Sequence, residues 1–145
     1  MNNLPDTGYS NTPLATKLSL KDGQRVLFIA LPPDHKPLRI ARHFREMAEA
    51  EWQSFADGDP GYDVIHGFTS RQAELVDAAQ TLMDSIDRSG SIWISWPKRS
   101  SKVPTDITED VIREIVLPIG LVDVKVCAVD AIWSGLKLVI RKALR

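Results

Sequence analysis

Cysteine is nearly absent from this chain. Cys127 stands alone, so no disulfide can close within the chain, and no oxidising compartment is indicated. The start, Met1-Asn2-Asn3-Leu4-Pro5-Asp6, has neither a basic region nor an apolar stretch. No segment comes near the ~20 successive apolar residues that cross a bilayer, so a cytoplasmic protein without membrane contact is expected. Neither sign of charge is in excess: 18 Lys and Arg face 19 Asp and Glu, for a formal charge of -1. That balance gives no global reason to expect nucleic acid as a partner. His35, His43 and His66 lack the spacing of metal ligands, and Cys127 has no histidine near it, so neither metal nor cofactor is expected from these residue types.

What the chain does have is the composition of a globular domain, with 43% hydrophobic and 26% charged residues among 145. That length suits one domain with a single buried core. Residues 1–13, rich in Asn, Thr, Pro and Gly, read as an irregular arm, and residues 14–145 as a single α/β domain. Thr12 and Pro13 can start a short helix over 14–20. Arg25 to Leu31 is a continuous apolar run of strand length, suited to a central strand covered on both faces. From Pro37 to Ala56, Ile40, Phe44, Met47, Trp52 and Phe55 recur at helical intervals, which predicts an amphipathic helix; a short strand within 43–49 is the alternative. Gly58-Asp59-Pro60-Gly61 breaks the chain, and Tyr62 to Thr69 is a second strand. Ser70 can cap the next helix, whose stripe is Leu75, Val76, Ala79, Leu82, Met83 and Ile86, with Gly90 past its end in a left-handed position. Ser91 to Trp96 is a third strand, and Trp93 and Trp96 are expected in the core on opposite or nearly opposite faces. Asp106 and Glu109 have capping-box spacing at the start of a last helix, ended by Pro118 and Gly120. Leu121 to Val129 and Leu136 to Lys142 are joined so briefly that they must pair antiparallel.

Strands alternating with helices imply parallel neighbours and right-handed crossovers. A final antiparallel pair on such a sheet resembles the class I methyltransferases, whose last strand inserts antiparallel beside the parallel ones. The resemblance rests on Tyr62-Asp63-Val64-Ile65, a helix, and Ser89-Gly90-Ser91-Ile92-Trp93-Ile94, and covers about the last 80 residues. The fold expected is therefore α/β and Rossmann-like, a reduced methyltransferase-like sheet, mostly parallel, with a C-terminal antiparallel hairpin. Methyltransferases hold adenosyl-methionine with a glycine-rich turn after the first strand and an acidic residue ending the second. Ile29-Ala30-Leu31-Pro32-Pro33 stands where those glycines belong, and prolines offer no amide to a phosphate or carboxylate. The interval from Leu31 to Tyr62 is also short for two further strand–helix units. A second set of phrases, Gly8-Tyr9-Ser10-Asn11-Thr12-Pro13-Leu14, Trp96-Pro97-Lys98 through Thr105-Asp106, Gly120 to Asp130, and Trp133-Ser134-Gly135-Leu136, resembles a bacterial family of small proteins classed as a domain of unknown function. That resemblance implies no particular activity.

Ligands of open parallel sheets sit beyond the carboxyl ends of the strands. Two segments there make a candidate anion site: Thr69, Ser70 and Arg71 at a helix start, and Lys98, Arg99, Ser100, Ser101 and Lys102 in a basic loop. The alternative is solvated surface charge and a simple helix cap. Trp96, Asp106, Asp130 and Trp133 are candidate pocket lining; Trp133 either lines a pocket or seals the hairpin. Asp106 can serve its helix, Asp130 its turn, and Asp123 can pair with Lys125, so no catalytic residue is assigned. Cys127 reads as a small core residue. Three functions follow in order: a non-catalytic module for a small anionic ligand, a protein-interaction module or homodimer using the Trp52/Phe55 helix or a sheet edge, and a divergent methyltransferase-like enzyme or a hydrolase using Asp106 or Asp130.

Overall fold

Strand-length apolar runs separated by turns give six strands, and a computed structural model, describing residues 13–55 and 60–145, assembles them into one sheet. They are β1 (Arg25–Ile29), β2 (Glu46–Ala50), β3 (Tyr62–Phe68), β4 (Ile86–Pro97), β5 (Leu121–Ala128) and β6 (Trp133–Ile140). The order across the sheet is β2-β1-β3-β4-β6-β5. The first four run parallel, and β6 lies antiparallel between β4 and β5. Three helices accompany them: α1 (Leu14–Lys17), α2 (Gln72–Ser85) and α3 (Glu109–Val116). The expected mostly parallel sheet with its antiparallel C-terminal hairpin is the observed one. Among the described residues no helix is long and apolar enough to cross a membrane. The expected arm falls, except for Pro13, outside the described residues, as do Thr12, Ala56 at the end of the expected helix, and Gly58 and Asp59 of the break.

Alternation on the strands sorts the core into two layers. Leu27, Ile29, Ile65, Ile92, Ile94 and Trp96 face α2 and α3, which contribute Leu75, Leu82, Ile112 and Val116. Val26, Phe28, Val64, Phe68 and Trp93 face the other way, toward α1 and Leu38. Trp93 and Trp96 are both buried and on opposite layers, as expected. The indole of Trp93 donates to the carbonyl of Leu18 at 2.9 Å, which fastens α1 to the sheet.

Four local expectations are corrected. Residues 37–55 are not one helix, and the alternative of a short strand within 43–49 is the nearer reading: a 3-10 segment, Pro33–Ile40, leads to β2 at Glu46–Ala50 and then a 3-10 turn, Trp52–Ser54. Ile40, placed on the buried stripe by the helical reading, is 83% exposed, and the backbone of β2 is claimed instead by ladder bonds to β1. Among its described residues the interval between Leu31 and Tyr62 thus holds one strand, in keeping with its being short for two strand–helix units. Second, α2 ends at Ser85 and β4 begins at Ile86, so Gly90 lies within a strand. A Cβ there would meet the Tyr62 carbonyl at 2.9 Å, so the glycine serves close strand approach, beside a bulge at Tyr62/Val64. Third, α3 starts at Glu109, capped by Thr108, whose hydroxyl accepts the Val111 amide at 3.1 Å. Fourth, a bulge between Asp123 and Lys125 turns them to different neighbours: Asp123 accepts from Arg113 of α3 and Lys125 donates to the Lys17 carbonyl.

Gly67 is required by a neighbour rather than by its own backbone. The Trp52 indole packs against it and donates to the Phe68 carbonyl at 2.8 Å. A Cβ on Gly67 would sit 2.6 Å from that ring. Gly67→Ala is expected to cost about 1–3 kcal/mol in chemical denaturation. In a Trp52→Ala background most of that cost should disappear, because the clash partner is gone.

His66 is the most buried ionisable side chain of the second layer, 1% exposed, with its Nε2 2.7 Å from the Ser95 hydroxyl. Its ring stacks on Phe68 at 4.3 Å. Burial, helped by the nearby His35, pushes its pKa down to about 3. The unfolded chain, with an ordinary value of 6.5, then binds more protons than the folded one below that pH. Stability contributed by neutral His66 is therefore complete above pH 6.5 and falls as the pH drops toward 3. Denaturation curves at pH 7 and pH 4 should show His66→Phe losing about 3 kcal/mol less than the parent protein over that interval.

Candidate functional site

β4 ends in Pro97, which cannot continue a ladder, and the chain turns through a one-turn 3-10 segment, Arg99–Ser101, to Lys102 in the left-handed region at φ 64°. The turn is held by its own hydroxyl: Ser101 donates to the Lys98 carbonyl at 2.7 Å and accepts the Val103 amide at 3.2 Å. On the other side, the Lys98 amide donates to the Ile132 carbonyl at 2.7 Å, tying the loop to the β5–β6 turn. Between loop, α3 and β6 opens a cleft of about 690 Å³, whose wall includes Trp96, Lys98, Arg99, Lys102, Thr105, Thr108 and Ser134. Arg113 also reaches it, but its guanidinium donates to Glu109, Asp110 and Asp123 at 2.8, 3.0 and 3.1 Å. Glu109 and Asp110, the two carboxylates of the cleft wall, are thereby partnered. The side chains of Lys98, Arg99 and Lys102 give the cleft its positive character.

The candidate residues do not all meet there. Trp96, Lys98, Arg99 and Lys102 line the cleft, while Ser101 holds the loop and Ser100 is an exposed part of it. Thr69, Ser70 and Arg71 stand at the start of α2, and their groups are engaged. Thr69 donates to Glu74, Arg71 pairs with Glu74 at 2.7 Å, and the Ser70 carbonyl accepts from Thr105. No side-chain cap comes from Ser70. Instead Asp106, thirty-four residues along, accepts the Gln72 amide at 2.7 Å, so it caps α2 and not its own helix. Arg71 faces a separate cleft of about 530 Å³ with Trp52, Phe55 and Asp77. Asp106→Ala should lower stability by about 1 kcal/mol, and Thr108→Ala by a similar amount at α3, both read in thermal melts.

Asp130 and Trp133 lie on the far side of the hairpin. Trp133 packs edge-on against Phe68, with ring centres 5.2 Å apart, so it seals the layer under the hairpin. Asp130 accepts the amides of Ile132 and Trp133 at 2.8 and 2.7 Å, and its second oxygen meets His35 Nε2 at 2.7 Å. Burial raises the Asp130 pKa, but the Trp133 amide, His35 and the Ile132 amide outweigh it and hold the carboxyl below its ordinary value. His35, Arg113 and Thr108 were not among the sequence candidates. Arg113 alone had a signal, its helical spacing from Glu109 and Asp110. Burial pushes the Cys127 thiol up, away from the reactive thiolate. Among the described residues no group of metal-ligating side chains comes together.

Comparison with solved structures decides the architecture. The N-methyltransferase NodS from Bradyrhizobium japonicum matches with a TM-score of 0.62 at 12% identity, over 89% of this chain and 92% of that one. A TehB-like SAM-dependent methyltransferase from Corynebacterium glutamicum matches at 0.59 and 11%, over 92% and 90%. This is the methyltransferase fold. A third, a SAM-dependent methyltransferase from Thiobacillus denitrificans in complex with S-adenosyl-L-homocysteine, matches at 0.58 and 12%, over 88% and 90%. Such low identities carry the fold alone. No family model matches the chain, and no curated protein matches it. The phrases that resemble a family of small bacterial proteins gain no support there.

The residues present do not fit a methyltransferase cofactor. After β1, Ala30 takes the left-handed conformation at φ 55°, and Pro32 and Pro33 have no amide hydrogens to offer. Within β2, Glu49 is paired with Lys36 and Arg39, and just past the strand the Glu51 side chain closes a capping box with Ser54. Lys36 chiefly, and Arg39 with it, hold the Glu49 carboxyl below its ordinary value against the opposing effect of burial. The Trp52 indole covers Gly67 near the carboxyl end of β3.

Proposed function

We propose that this chain is a non-catalytic binding module for a small organic anion, taken up in the cleft at the end of β4. The observation that carries the reading is the convergence of Lys98, Arg99 and Lys102 on one cleft of about 690 Å³, beside the hydroxyls of Thr105, Thr108 and Ser134. Cations supply attraction, and hydroxyls supply directed donors for carboxylate or phosphate oxygens. Val103 and Pro104 add an apolar margin, which suits a ligand with a carbon body behind its anionic head. Glu109 and Asp110, the carboxylates of the rim, are bonded to Arg113, and Asp106 and Asp130 are fixed as a helix cap and a turn brace. That arrangement favours binding over acid–base chemistry. The interaction alternative loses the helix it was built on, since Phe55 is buried and Trp52 is bonded to the Phe68 carbonyl. Its other surface, the edge strand β5, presents Val124 and Val126 to solvent but carries a bulge, a common guard against pairing.

Thermal melts with phosphate, pyrophosphate and citrate test the reading. Saturating amounts of one of these anions should raise the melting temperature by several degrees, as about 1–3 kcal/mol of linked binding does in a domain of this size. The double substitution Lys98→Ala and Arg99→Ala should abolish the rise and leave the variant folded, with a cooperative unliganded melt, since Arg99 is exposed, Lys98 half-buried, and alanine keeps the backbone bond to Ile132. A full rise in the double variant, or none with any of the three anions in the parent, would sink the proposal.

A further inference from the structure

Lys98 reaches the cleft from a residue whose own amide is bonded, at 2.7 Å, to the Ile132 carbonyl. The position of that carbonyl is set by the turn over 130–133, which closes on itself through Val129 and Asp130 amides donating to the Trp133 carbonyl at 2.9 and 3.2 Å. Asp130 braces the same turn with one oxygen, accepting the Ile132 and Trp133 amides. Its other oxygen is 2.7 Å from Nε2 of His35, which comes from the 3-10 segment after β1, 95 residues away in sequence. His35 is itself packed parallel to Phe68, with ring centres 6.0 Å apart. A chain of directed contacts thus runs from His35 through Asp130 and the turn to the Lys98 backbone.

We infer that His35 and Asp130 are positioning residues for the anion cleft, fixing the turn over 130–133 and through it the place of Lys98. The inference rests on the binding reading above only for its consequence in affinity; the mechanical link stands on the hydrogen bonds alone. The His35–Asp130 pair is largely buried, with side chains 11% and 20% exposed, and its geometry is that of a charge-assisted bond to a carboxylate already bound by two amides. Without the imidazole the Asp130 oxygen would turn to water, the brace on the turn would loosen, and the Lys98 amide would open to solvent more often. A small displacement of one cation suffices to weaken an anion held by several short contacts.

His35→Phe removes the nitrogen and keeps a ring against Phe68, so the layer stays packed. His35→Gln restores an N–H that can reach the carboxylate. Amide hydrogen exchange of the full chain, followed by NMR without ligand, should show the Lys98 amide exchanging at least about 10-fold faster in His35→Phe. The amides of Val64 and Ile65 in β3 should be unchanged, and His35→Gln should recover most of the protection. Unchanged exchange at Lys98, or equal acceleration in β3, overturns the inference. Titration with pyrophosphate then reads the consequence: about 10-fold weaker binding in His35→Phe, with recovery in His35→Gln. Full affinity in His35→Phe also overturns it. A parent protein that binds no pyrophosphate counts against the anion reading, and the exchange experiment still decides the mechanical link.

Discussion

The antiparallel insertion of β6 between β4 and β5 is the constraint on which the remainder of the molecule depends. It pairs six residues of β4 with β6 and seven of β5, and leaves β5 at the sheet's edge. Because β6 runs against β4, its beginning lies beside the end of β4. The turn over 130–133 and the loop after Pro97 are therefore neighbours by topology. A parallel sixth strand would carry that turn to the opposite end of the sheet. The cleft, the Lys98–Ile132 bond and the link to His35 all follow from this single reversal of direction.

The two faces of the sheet are covered by different means. On one, α2 and α3 lay regular apolar stripes against Ile65, Ile92, Ile94 and Leu138. On the other, α1 has only four residues and the segment after β1 is a 3-10 stretch, so rings do much of the filling. Trp93, His66, Phe68, His35 and Trp133 pack on one another there. Flat rings fit a layer too thin for regular helices, and their polar edges find fixed partners in Leu18, Ser95 and Asp130. The same economy appears at the strand ends, where Trp52 lies over a glycine.

Much of the architecture was legible in the sequence because several signals agreed between Tyr62 and Ile140: apolar runs of strand length, a clean helical stripe, and a connection too short for anything but a hairpin. The stretch 37–55 was legible only through the alternative of a short strand within 43–49, which overlaps β2. Ile40, Phe44 and Met47 fall at helical spacing by coincidence, and Glu46-Met47-Ala48-Glu49-Ala50 has little intrinsic preference for a strand. Its extended form is imposed by β1, a contact that no local pattern encodes. The candidate site divided in the same way. Lys98, Arg99 and Lys102 were visible as a basic cluster next to the proline that ends a strand. The capping of α2 by Asp106 and the bond between His35 and Asp130 were invisible, because each joins segments far apart in the chain. Asp106 with Glu109 even suggested a different cap, one that Thr108 supplies.

Asp106 serves α2 while Thr108, two residues on, serves α3, and Thr105 between Lys102 and both grips the Ser70 carbonyl. One short connection thus closes the first turns of two helices. It cannot swing outward without fraying both, so its backbone entropy is surrendered when the domain folds and not when something arrives at the cleft. For an occupant of the cleft, the cost of immobilising that stretch is already met. The connection that looks like a surface loop in the sequence behaves, thermodynamically, as part of the scaffold.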